Sequence, residues 1–79
     1  MSLPGNYRLV SILFTIEDGD SSTEDLYTVM TDLPSAMISD IVENNPQEAI
    51  KELLKTNRVF IMESHLINEE FHVTYRRTN

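Results

Sequence analysis

The chain has 79 residues, a formal net charge of −7, 41% hydrophobic and 24% charged side chains, and no cysteine. A chain this short builds one core, burying roughly 60% of its unfolded surface, so a single domain over residues 1–79 is expected. Disulfides and thiolate metal sites are excluded, and no apolar run approaches the roughly 20 residues of a membrane-spanning helix.

Charge narrows the function classes. Nine acidic and no basic residues lie between Glu17 and Glu48, while Lys51, Lys55, Arg58, Arg76 and Arg77 follow later. Such a field repels phosphate, so direct binding to nucleic acid is not expected. The start carries no basic segment leading into an apolar one, which points to a cytoplasmic protein. Residues 1–6 read as disordered or expression-derived.

The first element is Tyr7 to Ile16, YRLVSILFTI, in which Val10, Ile12, Phe14 and Ile16 share one parity and Tyr7, Leu9 and Leu13 the other. This period of two predicts a strand. Next comes IEDGDSSTED, with five carboxylates, one glycine and no base. As a calcium loop starting at Asp18 it fails at the sixth position, where Thr23 replaces glycine, and at the twelfth, where Val29 replaces glutamate. Turn chemistry fits better: glycine reaches positive φ, and Asp and Ser bond the local backbone. A loop of about nine residues is expected, longer than a hairpin needs, leaving Asp18, Asp20, Glu24 and Asp25 as candidates for acidic docking. Asp25 to Thr31 predicts a second strand, with a helix opened by Ser21, Ser22 or Thr23 as the alternative.

Met37, Ile38, Ile41 and Val42 then fall on one helical stripe over 35–44, and Ala49, Ile50, Leu53 and Leu54 on another over 46–56. Asn45 suits an N-cap, Pro46 the first helical position and Glu48 the answering N3 position. A single helix kinked at Pro46 is the alternative.

The final segment alternates twice, in VFIMESHL and FHVTYRR, with INEE between. A hairpin is expected, setting Leu66 opposite Phe71. Phe60, Met62, Ser64 and Leu66 would then share a core face with Phe71, Val73, Tyr75 and Arg77. Val59, Ile61, Glu63 and His65 would share the other face with His72, Thr74 and Arg76. The expected fold is α+β: a four-stranded antiparallel sheet of two hairpins in the order β-β-α-α-β-β, with two short helices on one face. The order of strands across the two hairpins stays open.

Catalysis lacks a foundation in these residues. No serine sits in a nucleophile elbow, and Gly5 and Gly19 are too few for a phosphate-binding loop. No enzyme activity and no cofactor are expected. In the inferred hairpin His65 and His72 face each other with Glu63 nearby, so a weak metal site at Glu63, His65 and His72 is one conceivable reading. Two solvated histidines are the commoner outcome, and a pair held in an interface would repel once both were protonated.

Surplus apolar surface is the stronger signal. After the helices cover one sheet face, Tyr7, Leu9, Leu13, Val59 and Ile61, with His65 and His72, remain on the other as interface candidates. The expectation is a small acidic protein-binding module, self-associating as a homodimer or contacting another protein through its sheet. An acidic inhibitor or nucleic-acid mimic docking on a basic protein cleft is the alternative.

Overall fold

The computed structural model describes residues 5–77. Residues 1–4 lie outside that range, so only Gly5 and Asn6 of the expected disordered segment are described, and they form a turn. Four strands and two helices follow: β1 (Arg8–Asp18), β2 (Ser21–Thr31), α1 (Ser35–Asn44), α2 (Ala49–Lys55), β3 (Val59–Ile61) and β4 (Glu69–Arg76). The sheet order is β3-β2-β1-β4. β1 pairs antiparallel with β2 and parallel with β4, and β2 pairs antiparallel with β3.

β1 forms as its alternation dictates. Val10, Ile12, Phe14 and Ile16 are all buried, and the register places Val29, Tyr27, Phe71, Val73 and Tyr75 beside them on the same face. Ile38, Val42, Ala49 and Leu53 close this core from the helices, with Ile41 and Ile50 packed at its margin. Met37 and Leu54, on the predicted stripes, are exposed. Phe14 meets Tyr27 and Tyr75 edge-on, at centroid distances of 5.9 and 6.2 Å, the geometry that aromatic quadrupoles favour.

The segment 25–31 is a strand, and it begins earlier than expected. Asp18 pairs with Ser21, so Gly19 and Asp20 alone make the turn. Gly19 has φ +65, and glycine at the first central position is the signature of a type II′ hairpin. The expected nine-residue loop is thus replaced by two continuous strands. Ser21 to Leu26 are all exposed although Phe14 and Ile16 beside them on β1 are buried, so this half of β2 overhangs the edge of the core and is held by its ladder to β1, which its largely polar side chains could not announce.

Between the helices, Pro46 restarts the chain as expected, through a 3₁₀ turn over Pro46–Glu48. Asn45 occupies the cap position, yet its side chain makes no capping bond. Instead, its carbonyl accepts the Glu48 N–H at 3.1 Å. Beyond α2, Asn57 adopts φ 61, a left-handed position that asparagine tolerates better than most residues.

The expected second hairpin does not form. β3 and β4 stand at opposite edges of the sheet and run in the same direction, so the sheet is mixed and not purely antiparallel. The facing of β4 matches expectation, with Phe71, Val73 and Tyr75 toward the core. The facing of β3 is reversed: Val59 is buried and Phe60 exposed, because β3 takes its register from Thr31 and Val29 of β2. A strand's facing follows its actual neighbour, and both parities of VFIM are apolar.

Ile61 and Glu69 are both level with Val10. The connection 62–68 therefore crosses the sheet, about 14 Å for three strand spacings, well within the roughly 23 Å that seven residues can span. The helices occupy one face at that level, where Val10 and Ile12 are fully buried. The direct route lies over the other face, and there Ser11 is only 8% exposed.

Candidate functional site

Two surfaces of the sheet are not committed to the core. The first is the face turned away from the helices. Side chains alternate, so Leu9, Leu13, Leu26, Met30 and Phe60 share it. Tyr7 reaches it too, its ring 6.1 Å from that of Phe60. Leu26 is 66% exposed and Phe60 44%, whereas Tyr7, Leu9, Leu13 and Met30 are half-buried.

Of the expected interface residues, Tyr7, Leu9 and Leu13 are therefore on the open face but partly sheltered. Val59 is in the core, and Ile61 shares the helix-side parity at the β3 edge, where it is exposed. Among the described residues the most exposed large apolar side chain, Leu66 at 77%, lies in the crossing connection. Ile61 therefore remains among the uncovered apolar side chains as expected, together with Leu26, Phe60 and Leu66, which were not expected there. Only the overhanging hairpin would have exposed Leu26, and the crossover Leu66.

The second surface is the outer edge of β4. The Arg77 N–H donates to the Glu17 carbonyl at 2.8 Å. In a parallel ladder alternate residues aim both peptide groups at the neighbour, so residues 69, 71, 73 and 75 address β1 while Glu70, His72, Thr74 and Arg76 address the free edge. At the opposite edge β3 is three residues long and pairs only with Val29 to Thr31, so among the described residues Ser21 to Tyr27 of β2 also have no strand on their outer side; β4 offers an outer strand of eight residues. Among the described residues, Glu70, Arg76 and Arg77 are exposed and enter no ion pair.

At its start β4 is anchored. Arg8 Nε donates to Glu69 Oε2 at 2.6 Å, and the Ser35 hydroxyl donates to Glu69 Oε1 at 2.7 Å. These bonds, the Arg8 guanidinium first and Ser35 second, hold the Glu69 carboxyl below its ordinary range. Asn68 completes the join: its N–H donates to the Leu9 carbonyl, and its Oδ1 accepts the Leu9 N–H, each at 2.8 Å. Near the other edge, Arg58 donates to Asp32 at 2.8 Å, which raises the guanidinium further above its usual value.

His65 and His72 are not paired across a hairpin. His65 belongs to the crossing connection, and His72 stands beside Leu13 on β4. Among the described residues no three His, Cys, Asp or Glu side chains group to hold a metal ion. The reading of Glu63, His65 and His72 as a metal site falls with the hairpin that suggested it.

The acidic candidates divide between surfaces. Asp18 and Asp25 share the helix-side parity, Glu17 and Glu24 point to the open face, and Asp20 is in the turn. All are exposed, and Arg76 lies directly beside Glu17 on β4. Beneath the overhang, Phe14, Asp25, Tyr27, Ile50, Tyr75 and Arg77 line part of an open cleft of about 230 Å³, below the 300–1,000 Å³ typical of small-molecule sites. No described helix is long and apolar enough to cross a membrane. Comparison with protein-family models, curated proteins and solved structures finds no match to this chain.

Proposed function

We propose that this chain is a non-enzymatic protein-binding module that associates with copies of itself through its sheet. The observation that carries this reading is the β4 edge: eight residues of outer strand with a row of peptide N–H and C=O groups directed away from the fold. Edge strands of this length are normally blunted by proline, charged side chains, a bulge or a covering segment, because they template pairing with another chain, and the charges of β4 stand only at its two ends. β4 contains no proline, and its register with β1 runs without interruption from Glu69 to Arg76. Phe71, Val73 and Tyr75 are half-buried beside that edge, so a neighbouring strand would shelter them further.

The acidic-docking alternative draws less support, since the carboxylates of the hairpin are spread over two faces and a turn. Docking into a basic cleft would favour a single charged surface.

The test uses proline at two adjacent positions. Thr74→Pro removes an N–H that faces outward, which an edge strand tolerates. The expected result is a folded chain of monomeric mass by light scattering, where the unaltered chain gives a dimer. Val73→Pro removes an N–H directed at β1 and should cost the fold itself. A mass of one chain for the unaltered protein from micromolar to millimolar concentration would overturn the proposal.

A further inference from the structure

The order of side chains along β4 is Glu69, Glu70, Phe71, His72, Val73, Thr74, Tyr75, Arg76, Arg77. It is acidic at one end, basic at the other and aromatic symmetrically between. Reversed and laid beside itself, the segment meets opposite charges at both ends. From this we infer that the partner at the β4 edge is a second copy of β4, paired antiparallel about a two-fold axis through Val73. The inference rests on the self-association proposed above and specifies its register.

Three constraints converge on that register. Peptide groups come first: only the even-numbered residues present both N–H and C=O outward, so hydrogen-bonded pairs must join even to even. Pairing centred on Val73 does this, setting Glu70 opposite Arg76 and His72 opposite Thr74. Each set is repeated by symmetry, giving on the order of eight interchain backbone hydrogen bonds.

Facing is the second constraint. Directly opposed residues share a face, so Phe71 meets the other chain's Tyr75, and Val73 meets Val73, on the helix side. The helices of both copies then lie on one side of an eight-stranded sheet, and the two open faces become continuous. A slip of one residue would set core-facing side chains against solvent-facing ones.

Charge is the third. A slip of two residues preserves parity but moves Arg76 opposite Asn68 or His72, and leaves Glu70 without a cation. Opposite charges in directly facing pairs favour one alignment, whereas like charges there oppose it. Glu70 and Arg76 are exposed and enter no ion pair among the described residues, so both are available. Glu69 would face Arg77 while keeping its bonds to Arg8 and Ser35. Charged residues on an edge ordinarily discourage pairing, yet here their order repels a parallel copy and accepts an antiparallel one.

The test exchanges charges. In a Glu70→Arg homodimer arginine faces Arg76 twice, and in an Arg76→Glu homodimer glutamate faces Glu70 twice. Each variant alone should dimerise about tenfold more weakly than the unaltered chain. An equimolar mixture restores both opposite pairs and should recover the original affinity. Because the chain has no cysteine, Val73→Cys should also oxidise to a covalent dimer, with Thr74→Cys as the control that does not. Should the unaltered chain dimerise while both charge variants match it and Val73→Cys stays uncrosslinked, the β4 register is overturned and self-association stands. A monomeric unaltered chain overturns both.

Discussion

Arg8 and Glu69, 61 positions apart in sequence, join the start of β1 to the start of β4 through a 2.6 Å ion pair. Ser35 at the first turn of α1 donates to the same carboxylate, so one acidic side chain ties together the central strand, the edge strand and the helical layer.

This cluster predicts how stability responds to acid. The folded Glu69 carboxyl titrates below its unfolded value, so its contribution is present in full above about pH 4.3 and lost as pH falls through the lower folded value. The two side chains are 20% and 32% exposed, and solvent screening holds the expected contribution to about 1 kcal/mol. Glu69→Gln should lower unfolding stability by that amount at neutral pH. The gap should narrow below about pH 4 in urea titrations repeated across pH. A gap constant with pH would show that the bond does not depend on the charged carboxylate.

Thr31 supplies a second prediction. It is fully buried, its hydroxyl donating to the Arg58 carbonyl at 2.8 Å and accepting the Leu33 N–H at 3.1 Å. One oxygen therefore joins the end of β2 to the turn before β3. Thr31→Val keeps the volume but leaves a buried donor and acceptor without partners, a loss of about 1–3 kcal/mol. Thr31→Ser should recover most of the hydrogen bonding. Chemical denaturation of the three chains ranks them, and a valine variant as stable as the serine variant would contradict this role.

The turn of the first hairpin gives a purely conformational case. A Cβ at Gly19 would meet nothing within 4 Å, yet the backbone sits at φ +65. Gly19→Ala is therefore expected to cost about 1–2 kcal/mol with no steric clash, and Gly19→Asn less. Equal stabilities for glycine and alanine at this position would imply that the turn relaxes to another type.

How much of this was legible follows from what each signal encodes. Alternation in β1 revealed both its strand character and its buried face, because one parity is continuously apolar. The helices were readable from their stripes and from Pro46. Alternation says nothing about which strand is the neighbour, however. Residues 59–66 and 71–77 therefore suggested a hairpin where the chain crosses to the far edge. Ser21 to Glu24 carried no strand signal because both of their faces are wet. Thr31 reaches Arg58 and Glu69 reaches Arg8 across 27 and 61 positions of sequence, a proximity that no local pattern records.

Ile12 and Leu26 separate the core from the uncovered surface. Ile12 is fully buried at the middle of β1, and Leu26 is 66% exposed on the overhanging part of β2. Ile12→Ala removes three methyl-sized groups from the core and should cost about 2–5 kcal/mol, a large share of the margin for so small a domain. Leu26→Lys should change folding stability by less than about 0.5 kcal/mol, as surface substitutions do. Under β4 pairing it should also leave the oligomeric mass unchanged, because β1 separates β2 from the β4 edge. Thermal melts and light scattering on the same samples check both statements. A folded but monomeric Leu26→Lys chain would move the interface from the β4 edge to the open face.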